Sequence, residues 1–560
     1  MSKHLSPTIR VPIDSENPSI LRQEEKCIKC GACRRVCHDE IAVGEFYDLA
    51  SCGDLPICVG CGQCANVCPT DSIAERPEWG QVWSAIHDPN KVVVVSTSPS
   101  VRVALGEEFG MEPGSYVEGK MVAALRALGV DYVLDTTFAA DLTIMEEASE
   151  LVERLTQKTR PLPQFTSCCP AWVKFVETFY PEFLPNISTA KSPIGMQGPT
   201  VKTYFAKQRG IDPAQIVHVA LTPCTAKKFE VRRQEMCAAS LQQNRTPAPD
   251  TDNIITTREL AAWLKAAEID FAALQESEYD SLLGRGSGAG IIFGNTGGVM
   301  EAAVRTAWYF VTGETPPKDL CSLMPVRGME GVKSATLEIG GVPVRIAIAH
   351  GLANAKALLE QMKQGEAPFD FVEVMTCRGG CVGGGGQPKD REGKGDALRT
   401  ARIAGLYSKD EAMKVRFSYE NPDIVAVYRE FYGKPLSPLA EEILHTLYFD
   451  RHDDLGPAGM IDAAAPQTVE QVAAVAGTRV FRCKVCDEVV KTGPEGLADD
   501  FVCPVCGMGK DQFEEITPKS NRRFRCKVCD EVVETGPEGL ADDFVCPVCG
   551  VPASQFEEIE

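Results

Sequence analysis

Residues 217–230 read VHVALTPCTAKKFE, an apolar β-rich run that leads to Cys224 and is followed by charged residues. Two similar runs, QFTSCC and FVEVMTC, lead to Cys169 and Cys377. Helical patterns lie between several such runs, and this alternation favours an α/β fold with parallel sheets. In such sheets ligands gather beyond the carboxyl ends of the strands. Each of the three cysteines therefore stands where a ligand is expected.

The same alternation fills the rest of the central part of the chain, residues 91–370. Helices are predicted over 117–129 and, with an amphipathic pattern, over 141–155. Further strands are predicted at Lys91-VVVVSTS, Asp131-YVLDTT, Gly290-IIFG and Val342-PVRIAIAH.

The composition narrows the function classes. Asp and Glu (78) outnumber Lys and Arg (57), so the net charge is −21, which argues against nucleic acid or an anionic membrane and favours a basic partner surface. No apolar run approaches the ~18 residues of a membrane helix, so no membrane insertion is expected. The N-terminal stretch MSKHLSPTIRVPIDSENP shows no export signal, which predicts a cytoplasmic protein. In a reducing compartment, 24 cysteines indicate metal rather than disulfides.

Eight cysteines near the N-terminus form a duplicated motif. They read Cys27-x2-Cys30-x2-Cys33-x3-Cys37 and Cys58-x2-Cys61-x2-Cys64-x3-Cys68-Pro69. This is the bacterial pattern for two 4Fe–4S clusters, in which the fourth ligand comes from the other half. The first cluster is thus predicted on Cys27, Cys30, Cys33 and Cys68, and the second on Cys37, Cys58, Cys61 and Cys64. The duplicated register disfavours zinc or disulfides, and Cys52 lies outside the pattern.

The last eighty residues repeat with a period of 43: FRCKVCDEVV at 481 recurs at 524, and FVCPVCG at 501 recurs at 544. Each repeat carries two CxxC pairs, and four thiolates at this spacing form a tetrahedral site for iron or zinc. The predicted sites are Cys483, Cys486, Cys503 and Cys506, and Cys526, Cys529, Cys546 and Cys549. The CPVCG motif with its acidic QFEE tail resembles rubredoxin, so mononuclear iron is favoured over zinc. Residues 481–516 and 524–560 carry charges of −4 and −7.

The motifs Thr166-SCCPAW, Thr222-PCTAKKFE and Glu373-VMTCRGGCVGGGGQP resemble the three signature motifs of FeFe-hydrogenases, whose active site is the H-cluster. The resemblance covers roughly residues 20–450. It includes the segment FGNTGGVMEAAVRTAW from Phe293 and a stretch from Leu406 to Tyr448 that is similar to a part forming a separate small subunit in some members.

The resemblance implies that Cys169, Cys224, Cys377 and Cys381 hold the 4Fe–4S cubane of the H-cluster, with Cys381 also bridging to its two-iron subcluster, which carries CO and CN ligands. The glycines at 379, 380 and 383–386 are expected to let the backbone approach this bulky centre. Cys168 matches the thiol that passes protons to the distal iron's amine ligand. Lys227 matches the lysine that pairs with a cyanide, and Met375 matches a methionine near the two irons, a position that core packing alone would also explain.

A proton path is implied by the same resemblance. Glu147, Glu150 and Arg154 lie at i, i+3 and i+7 on one helix face, where a solvated charged stripe is the alternative. In the family such carboxylates relay protons with a serine hydroxyl, here Ser188. The expected path runs from Cys168 through Glu147, Ser188 and Glu150 and outward past Arg154.

Three positions depart from the pattern or lie outside it. Thr222 stands where a methionine is usual in the family, so it places a hydroxyl beside the two-iron site and bears on catalytic bias and on sensitivity to CO and oxygen. Cys237 and Cys321 belong to no motif and are expected to be structural.

The predicted fold is multidomain, α/β and α+β, with a ferredoxin-like N-terminal domain, an α/β H-cluster domain and two small metal-stapled rubredoxin-like β domains. The expected boundaries are a ferredoxin domain at 1–90, the catalytic domain at 91–400, a small-subunit-like segment at 401–452, a linker at 453–480, a first repeat at 481–516, a linker at 517–523 and a second repeat at 524–560.

The expected function is the reversible reduction of protons to hydrogen. Electrons would come from a ferredoxin or another small redox protein, and H-cluster maturation proteins would be needed. A hydrogen-sensing or iron–sulfur assembly relative is the alternative, but assembly relatives lack the counterparts of Cys168 and Lys227. A rubrerythrin-type reductase would need paired Glu-x-x-His motifs, and only Glu442 and His445 have that spacing.

Overall fold

The computed structural model describes residues 10–43, 57–366, 368–455 and, toward the C-terminus, 479–484, 489–492, 497, 510–515, 522–527, 532–535 and 556–559. The chain divides into two compact units, Met1–Ile461 and Asp462–Glu560. Within these described ranges, no helix is both long and apolar enough to cross a membrane.

The N-terminal region is a small two-stranded, two-helix fold. Strand β1 (Ile20–Arg22) pairs antiparallel with β2 (Ile73–Glu75). Helix α1 (Ala32–Asp39) and helix α2 (Gln63–Asn66) each begin directly after the glycine of a CxxCG motif. A small apolar core packs against cysteines of both halves of the duplicated motif. The region is therefore built around its cysteines, as expected of a ferredoxin-like fold.

The first large sheet holds four parallel strands. They are β3 (Val92–Thr97), β4 (Tyr132–Asp135), β6 (Ile216–Thr222) and β7 (Asn253–Thr256), in the order β4-β3-β6-β7. Residues 93–97 of β3 are fully buried, because helices cover both faces of a parallel sheet. This sheet confirms the predicted α/β alternation, although β7 was not predicted.

The second large sheet is mixed. It contains β5 (Gln164–Phe165), β8 (Val332–Ile339), β9 (Val342–His350) and β10 (Phe371–Met375), in the order β5-β10-β9-β8. Strands β5, β10 and β9 are parallel, whereas β8 and β9 form an antiparallel hairpin. The expectation of parallel sheets alone is therefore wrong for the β8 edge, which alternates between buried and exposed side chains.

Helices pack on and between the two sheets. The longest described helix is α6 (Thr136–Gln157). Its Phe138 and Leu142 belong to an apolar core that includes residues of the first sheet, and its Ile144 belongs to one that includes residues of the second. The side chain of Asp135 caps this helix by accepting a 2.7 Å bond from Thr137 N. The other helices are α3 (Trp79–Ile86), α4 (Pro99–Arg102), α5 (Glu118–Ala127), α7 (Pro170–Phe179), α8 (Pro193–Thr200), α9 (Ala206–Arg209), α10 (Lys227–Glu230), α11 (Ala238–Gln242), α12 (Thr257–Ala266), α13 (Gly288–Ile291), α14 (Gly298–Thr312), α15 (Leu352–Lys363), α16 (Asp396–Ala412), α17 (Pro422–Val427) and α18 (Pro438–Leu444).

The strand predicted at Gly290-IIFG is wrong. Helix α13 and a following 3₁₀ turn at Ile292–Gly294 occupy these residues. Ser287 caps the helix, and both Ile291 and Ile292 are buried. A short apolar run bounded by glycines is compatible with a buried helix as well as with a strand, and the Ser287 cap selects the helix here.

The segment after residue 401 packs along the strip that contains Ser188. Lys191 N donates to Leu444 O at 2.8 Å, and Thr446 N donates to Thr189 O at 2.8 Å. The hydroxyl of Tyr448 donates to Ser188 O at 2.5 Å. The last residues of this segment therefore form a short strand-like ladder with the strip at 188–191.

The second unit contains two three-stranded antiparallel sheets. Its strands are β11 (Arg479–Cys483), β12 (Val489–Thr492) and β13 (Phe513–Glu515) in one sheet, and β14 (Arg522–Cys526), β15 (Val532–Thr535) and β16 (Phe556–Ile559) in the other. Corresponding strands begin 43 residues apart, as the repeat predicts. Cys483 and Cys526 each end a strand, whereas the other predicted metal ligands lie outside the described residues: Cys486, Cys503, Cys506, Cys529, Cys546 and Cys549.

Candidate active site

A cavity of about 80 Å³ lies at the carboxyl ends of both large sheets. It is lined by residues that follow β3, β4 and β6 of the first sheet and β5 and β10 of the second. The surface that lines the cavity is mostly apolar, although the charged side chain of Lys227 also reaches it. An apolar lining is expected of a site that excludes water. The cysteines at this cavity are Cys168, Cys169, Cys224, Cys377 and Cys381.

Local structure explains how four of these cysteines come together. Cys169 is the N-cap of α7, whose first residue is a proline. Cys224 follows β6 by two residues, and Cys377 follows β10 by two. Cys381 opens the 3₁₀ turn Cys381–Gly383. Four thiols from three chain segments, far apart in sequence, thus surround one cavity.

Two glycines of the third motif, Gly380 and Gly384, lie very close to other protein segments. A Cβ on Gly380 would lie 2.6 Å from Thr296 N, and a Cβ on Gly384 would lie 2.5 Å from Pro223 O. The tight neighbours are therefore backbone atoms of other protein segments. At these two positions glycine therefore lets the third motif pack directly on neighbouring protein segments. The expectation that the glycines let the backbone approach an inorganic centre stays a prediction.

The donor set fits a thiolate-bound cluster. Burial raises the pKa of the Cys224 thiol to about 12 and that of Cys377 and Cys381 above the ordinary range, and the neighbouring thiolates add to the effect. Buried thiolates at this density need bound iron to offset their charge. Among the described residues, no group of three His, Cys, Asp or Glu side chains could hold a single metal ion. Four cysteine thiols around one cavity are the ligand set that a 4Fe–4S cubane takes.

The eight N-terminal cysteines surround two smaller cavities. One is lined by Cys27, Cys30, Cys33 and Cys68, and the other by Cys37, Cys58, Cys61 and Cys64. Each set draws one cysteine from the other half of the motif, which is the grouping predicted from the sequence. In the first set Cys30 is exposed to solvent, whereas in the second set Cys64 is buried.

Lys227, Met375 and Thr222 all line the main cavity. The Lys227 ammonium lies 2.8 Å from a carboxylate oxygen of Glu230 and donates to Cys168 O at 3.1 Å. Burial acts to lower its pKa, but the charge and hydrogen bond of Glu230 together with the Cys224 and Cys168 sulfurs outweigh burial and raise it, so the lysine stays charged inside an apolar cavity. Such a cation suits an anionic ligand.

Cys168 faces the same cavity and is buried. Burial raises the pKa of its thiol well above the ordinary value, and the charge of Glu147 adds to this. A neutral thiol can donate a proton, whereas a thiolate ligand cannot.

Glu147 is fully buried on α6, and neither of its carboxylate oxygens has a hydrogen-bond partner within 3.5 Å among the described residues, although the Ser167 N–H and the Ser188 hydroxyl lie near enough to act on its pKa. Burial raises its pKa to about 8, and the nearby Glu150 carboxylate contributes. Glu147 therefore carries a proton at neutral pH. A buried carboxyl group without a close hydrogen-bond partner is costly and requires an explanation, which a proton-transfer role would supply.

The outer part of the path is tightly bonded. Ser188 Oγ donates to one oxygen of Glu150 at 2.7 Å, and Arg154 Nη2 donates to the other at 2.5 Å. Arg154 is fully buried and also donates to four backbone carbonyls, those of Pro161, Pro185, Asn186 and Ile187. The alternative of a solvated charged stripe is wrong, because this helix face is enclosed by protein.

Two contacts of the cavity were missed from the sequence. Glu230 holds Lys227, and Gln63 of the N-terminal region donates to Cys377 Sγ at 3.1 Å. Glu230 lies in the quoted motif TPCTAKKFE, three residues after Lys227 on α10, so its helical spacing offered a signal. The contact of Gln63 joins residues 314 apart and left no signal in the sequence.

The cysteines outside the motifs differ in what the structure shows. Cys237 and Cys321 are both buried and each donates weakly to a backbone carbonyl, which agrees with a structural role. Cys52 lies outside the described residues.

Comparison with known families gives matches over most of the first unit. Residues 91–385 match the C-terminal domain of the iron-only hydrogenase large subunit, residues 396–451 match the iron hydrogenase small subunit, and residues 54–74 match a 4Fe–4S binding domain. The first of these matches alone spans more than half of the chain.

Individual relatives agree. The chain is 46% identical over 451 residues to the NADP-reducing hydrogenase subunit HndD of Solidesulfovibrio fructosivorans, covering 77% of this chain and 75% of the relative. It is 41% identical over 452 residues to iron hydrogenase 1 of Clostridium pasteurianum, covering 78% and 77%. An apo variant of the FeFe-hydrogenase HydA1 of Chlamydomonas reinhardtii superposes with a TM-score of 0.59 at 41% identity, covering 66% of this chain and 98% of that one.

The chain therefore belongs to the FeFe-hydrogenases. It is a large subunit with an N-terminal 4Fe–4S ferredoxin region, an oxidoreductase that interconverts protons and hydrogen with electrons relayed by 4Fe–4S clusters. The H-cluster and 4Fe–4S clusters are typical of this family.

Proposed function

We propose that the cavity at the ends of the two sheets is the hydrogen-converting site and that each residue acts as its family motif implies. The observation that carries this proposal is the convergence of four thiols, the Cys168 thiol and the Lys227 ammonium on one apolar cavity. Cys169, Cys224, Cys377 and Cys381 would hold the cubane, and Cys381 would bridge to the two-iron subcluster. The bound H-cluster supplies the two-electron chemistry that interconverts protons and hydrogen.

The protein's own groups bind, exclude water and move protons. Lys227, held by Glu230, presents a fixed positive charge to an anionic ligand in a cavity with little polar lining. Met375 is buried against the same cavity and would fill space beside the two irons. Thr222 brings a short polar side chain to this wall and is proposed to alter the balance between the two reaction directions.

The proton path is proposed to begin at Cys168. Glu147 has a pKa of about 8, close to working pH, which suits a group that must both accept and release a proton. Ser188 bonds Glu150, and Arg154 fixes the other oxygen of that carboxylate. Glu147 is therefore the mobile proton carrier, and the Glu150–Arg154 pair is the fixed end of the path.

Electrons are proposed to enter through the first N-terminal cluster, where Cys30 is exposed, and to pass through the second cluster to the cubane. The donor would be a ferredoxin or another small redox protein. Assembly of the H-cluster would require maturation proteins. The cytoplasmic location stays a prediction from the N-terminal sequence.

The two C-terminal repeats are proposed to be rubredoxin-like modules that each bind one iron and exchange electrons with the hydrogenase region or an outside partner. The duplicated CxxC pairs and the two matching antiparallel sheets support this. Iron of the rubredoxin type changes by one electron with little rearrangement. Since rubredoxin potentials lie above those of low-potential clusters, as the resemblance implies, the modules suit hydrogen uptake better than production. Metal analysis after purification from the native host tests the identity of the metal; zinc in these sites would contradict the proposal.

The direct test of the catalytic site is anaerobic production with H-cluster maturation proteins, followed by infrared spectroscopy and hydrogen assays. We expect CO and CN bands and hydrogen evolution from a reduced viologen or ferredoxin. Bands without hydrogen under reducing conditions would contradict an enzyme and favour a sensor.

A further inference from the structure

A side chain of the N-terminal ferredoxin region reaches a thiol of the main cavity. Gln63 lies between Cys61 and Cys64, two proposed ligands of the second cluster, and is buried. Its Nε2 donates to Cys377 Sγ at 3.1 Å and to Gly383 O at 2.9 Å. A single amide group therefore joins the loop of one proposed cluster to a proposed ligand of the next.

Neighbouring contacts fix which end of the amide faces the sulfur. Asn66 Nδ2 donates to Gln63 Oε1 at 3.3 Å and to Gly384 O at 3.0 Å. Asn66 Oδ1 in turn accepts from Arg258 Nη1 at 2.7 Å. Gly383 O can only accept a hydrogen bond, and Cys377 Sγ can only accept one when the cysteine is a thiolate. The NH₂ group of Gln63, rather than its oxygen, must therefore point at these two atoms.

We propose that Gln63 is a positioning residue that raises the reduction potential of the catalytic cubane by donating a hydrogen bond to the Cys377 thiolate. A cluster gains negative charge when it is reduced, and a donor to one of its sulfurs stabilises that extra charge. Burial strengthens the effect, because little solvent competes with the bond. The inference rests on the proposed function, since it takes Cys377 as a cubane ligand.

The consequence concerns the last electron-transfer step. Gln63 sits in the loop of the second cluster, which is the proposed donor, and acts on the acceptor. Raising the acceptor's potential makes transfer from the second cluster to the cubane more favourable. The ferredoxin region thus supplies electrons and also adjusts the centre that receives them.

The test uses matured holoenzyme and two variants without the N–H donor, Gln63→Met and Gln63→Glu. Methionine keeps the length of the side chain, which matters because Gln63 also borders a polar cavity of about 470 Å³ from which water could reach the sulfur of a smaller variant. Asn66→Leu is the matched control. It removes a hydrogen bond between the same two regions, to Gly384 O, and the bond to Gln63 Oε1. The bond from Gln63 Nε2 to Gly383 O remains and keeps the NH₂ group directed at the sulfur.

The readout is infrared spectroelectrochemistry of the CO and CN bands, which follows the fraction of protein whose cubane is reduced at a fixed potential. At the wild-type midpoint, Gln63→Met is expected to lower the ratio of reduced to oxidised cubane about tenfold, a shift of about 59 mV for one electron. Gln63→Glu adds a negative charge at a pH high enough to ionise its carboxyl group, and there it should lower the ratio at least as much. Asn66→Leu should change it less than about twofold.

Two results would overturn the inference: an unchanged ratio in both Gln63 variants, or an equal shift in Asn66→Leu, which would reveal general loosening of the contact. Should one Gln63 variant fail to fold, the other decides the question. Failure of the proposed function looks different, because the wild type itself would then lack CO and CN bands.

Discussion

The N-terminal cysteine region and the main cavity use the same ligand type in opposite ways. In the first, eight cysteines within 42 residues surround two cavities, and Cys30 is exposed. In the second, cysteines from three segments meet at the ends of two sheets in an apolar enclosure. Electron carriers need a short path to the surface and little else. Proton chemistry needs a dry site whose groups come from the whole fold.

The largest expected effect comes from replacing one cysteine ligand in each of these two regions. Cys377→Ser should abolish hydrogen evolution and the CO and CN bands, because the cubane that supports the two irons loses a thiolate. Cys30→Ser, at the exposed cluster, should leave the bands intact and only reduce hydrogen evolution with a protein donor. Infrared spectra and assays with viologen and with ferredoxin would measure both. Equal damage from the two substitutions would remove the distinction between the regions.

Within the cavity, Cys168→Ala should keep the H-cluster bands and lose most turnover. General acid–base groups typically contribute ~10²–10⁴-fold, and the buried neutral thiol is proposed to move protons rather than to hold iron. The rate of hydrogen evolution and the infrared spectrum provide the measurement. Loss of the cubane signal in this variant would make Cys168 a ligand instead.

A third prediction uses the pKa of Glu147, which burial raises from 4.5 to about 8. Between these values the folded protein keeps a proton that the unfolded chain releases, so this group's contribution to stability falls as the pH rises. Glu147→Gln removes this pH dependence. The difference in unfolding free energy, variant minus wild type, should therefore increase by about 1 kcal/mol per pH unit across this window.

Thermal unfolding at pH 5.5 and 7.5 would measure the difference. Glu153→Gln, on the same helix but partly exposed, is the control and should show no such trend. A constant difference between Glu147→Gln and the wild type at both pH values would mean that the carboxyl group titrates normally, and Glu147 would lose its place as a proton carrier.

The smallest effect is expected from removing the C-terminal repeats. Truncation after His452 should leave viologen-linked hydrogen evolution nearly unchanged and remove two irons per chain, since no H-cluster motif draws on the repeats. Iron analysis and the viologen assay test both parts. If activity collapsed on truncation, the repeats would belong to the catalytic machinery.

Local spacing explains which features the sequence could predict. The two cysteine quartets follow from a motif that keeps ligands within a few residues of one another, and the strand ends carrying Cys224 and Cys377 follow from apolar runs. The ligand and relay roles of the site residues stay predictions until the variants above are measured.

Other features depend on tertiary packing. The run Gly290-IIFG is too short for its periodicity to distinguish a helix from a strand, and packing and the Ser287 cap decided it. The enclosure of Arg154 by four carbonyls and the contact of Gln63 with Cys377 join segments that only the fold brings together.

The ladder between residues 444–448 and the strip at 188–191 has a further consequence. Its partners are Leu444, Thr446 and Tyr448, and the strip carries Ser188, whose hydroxyl holds Glu150. Both sides belong to one covalent chain, so the ladder closes with an effective concentration set by the connection rather than by the abundance of a second polypeptide. Dilution therefore cannot dissociate this segment from the proton path. In an enzyme with the same segment as a separate subunit, the fraction of protein with an intact path would depend on the dissociation constant of that subunit.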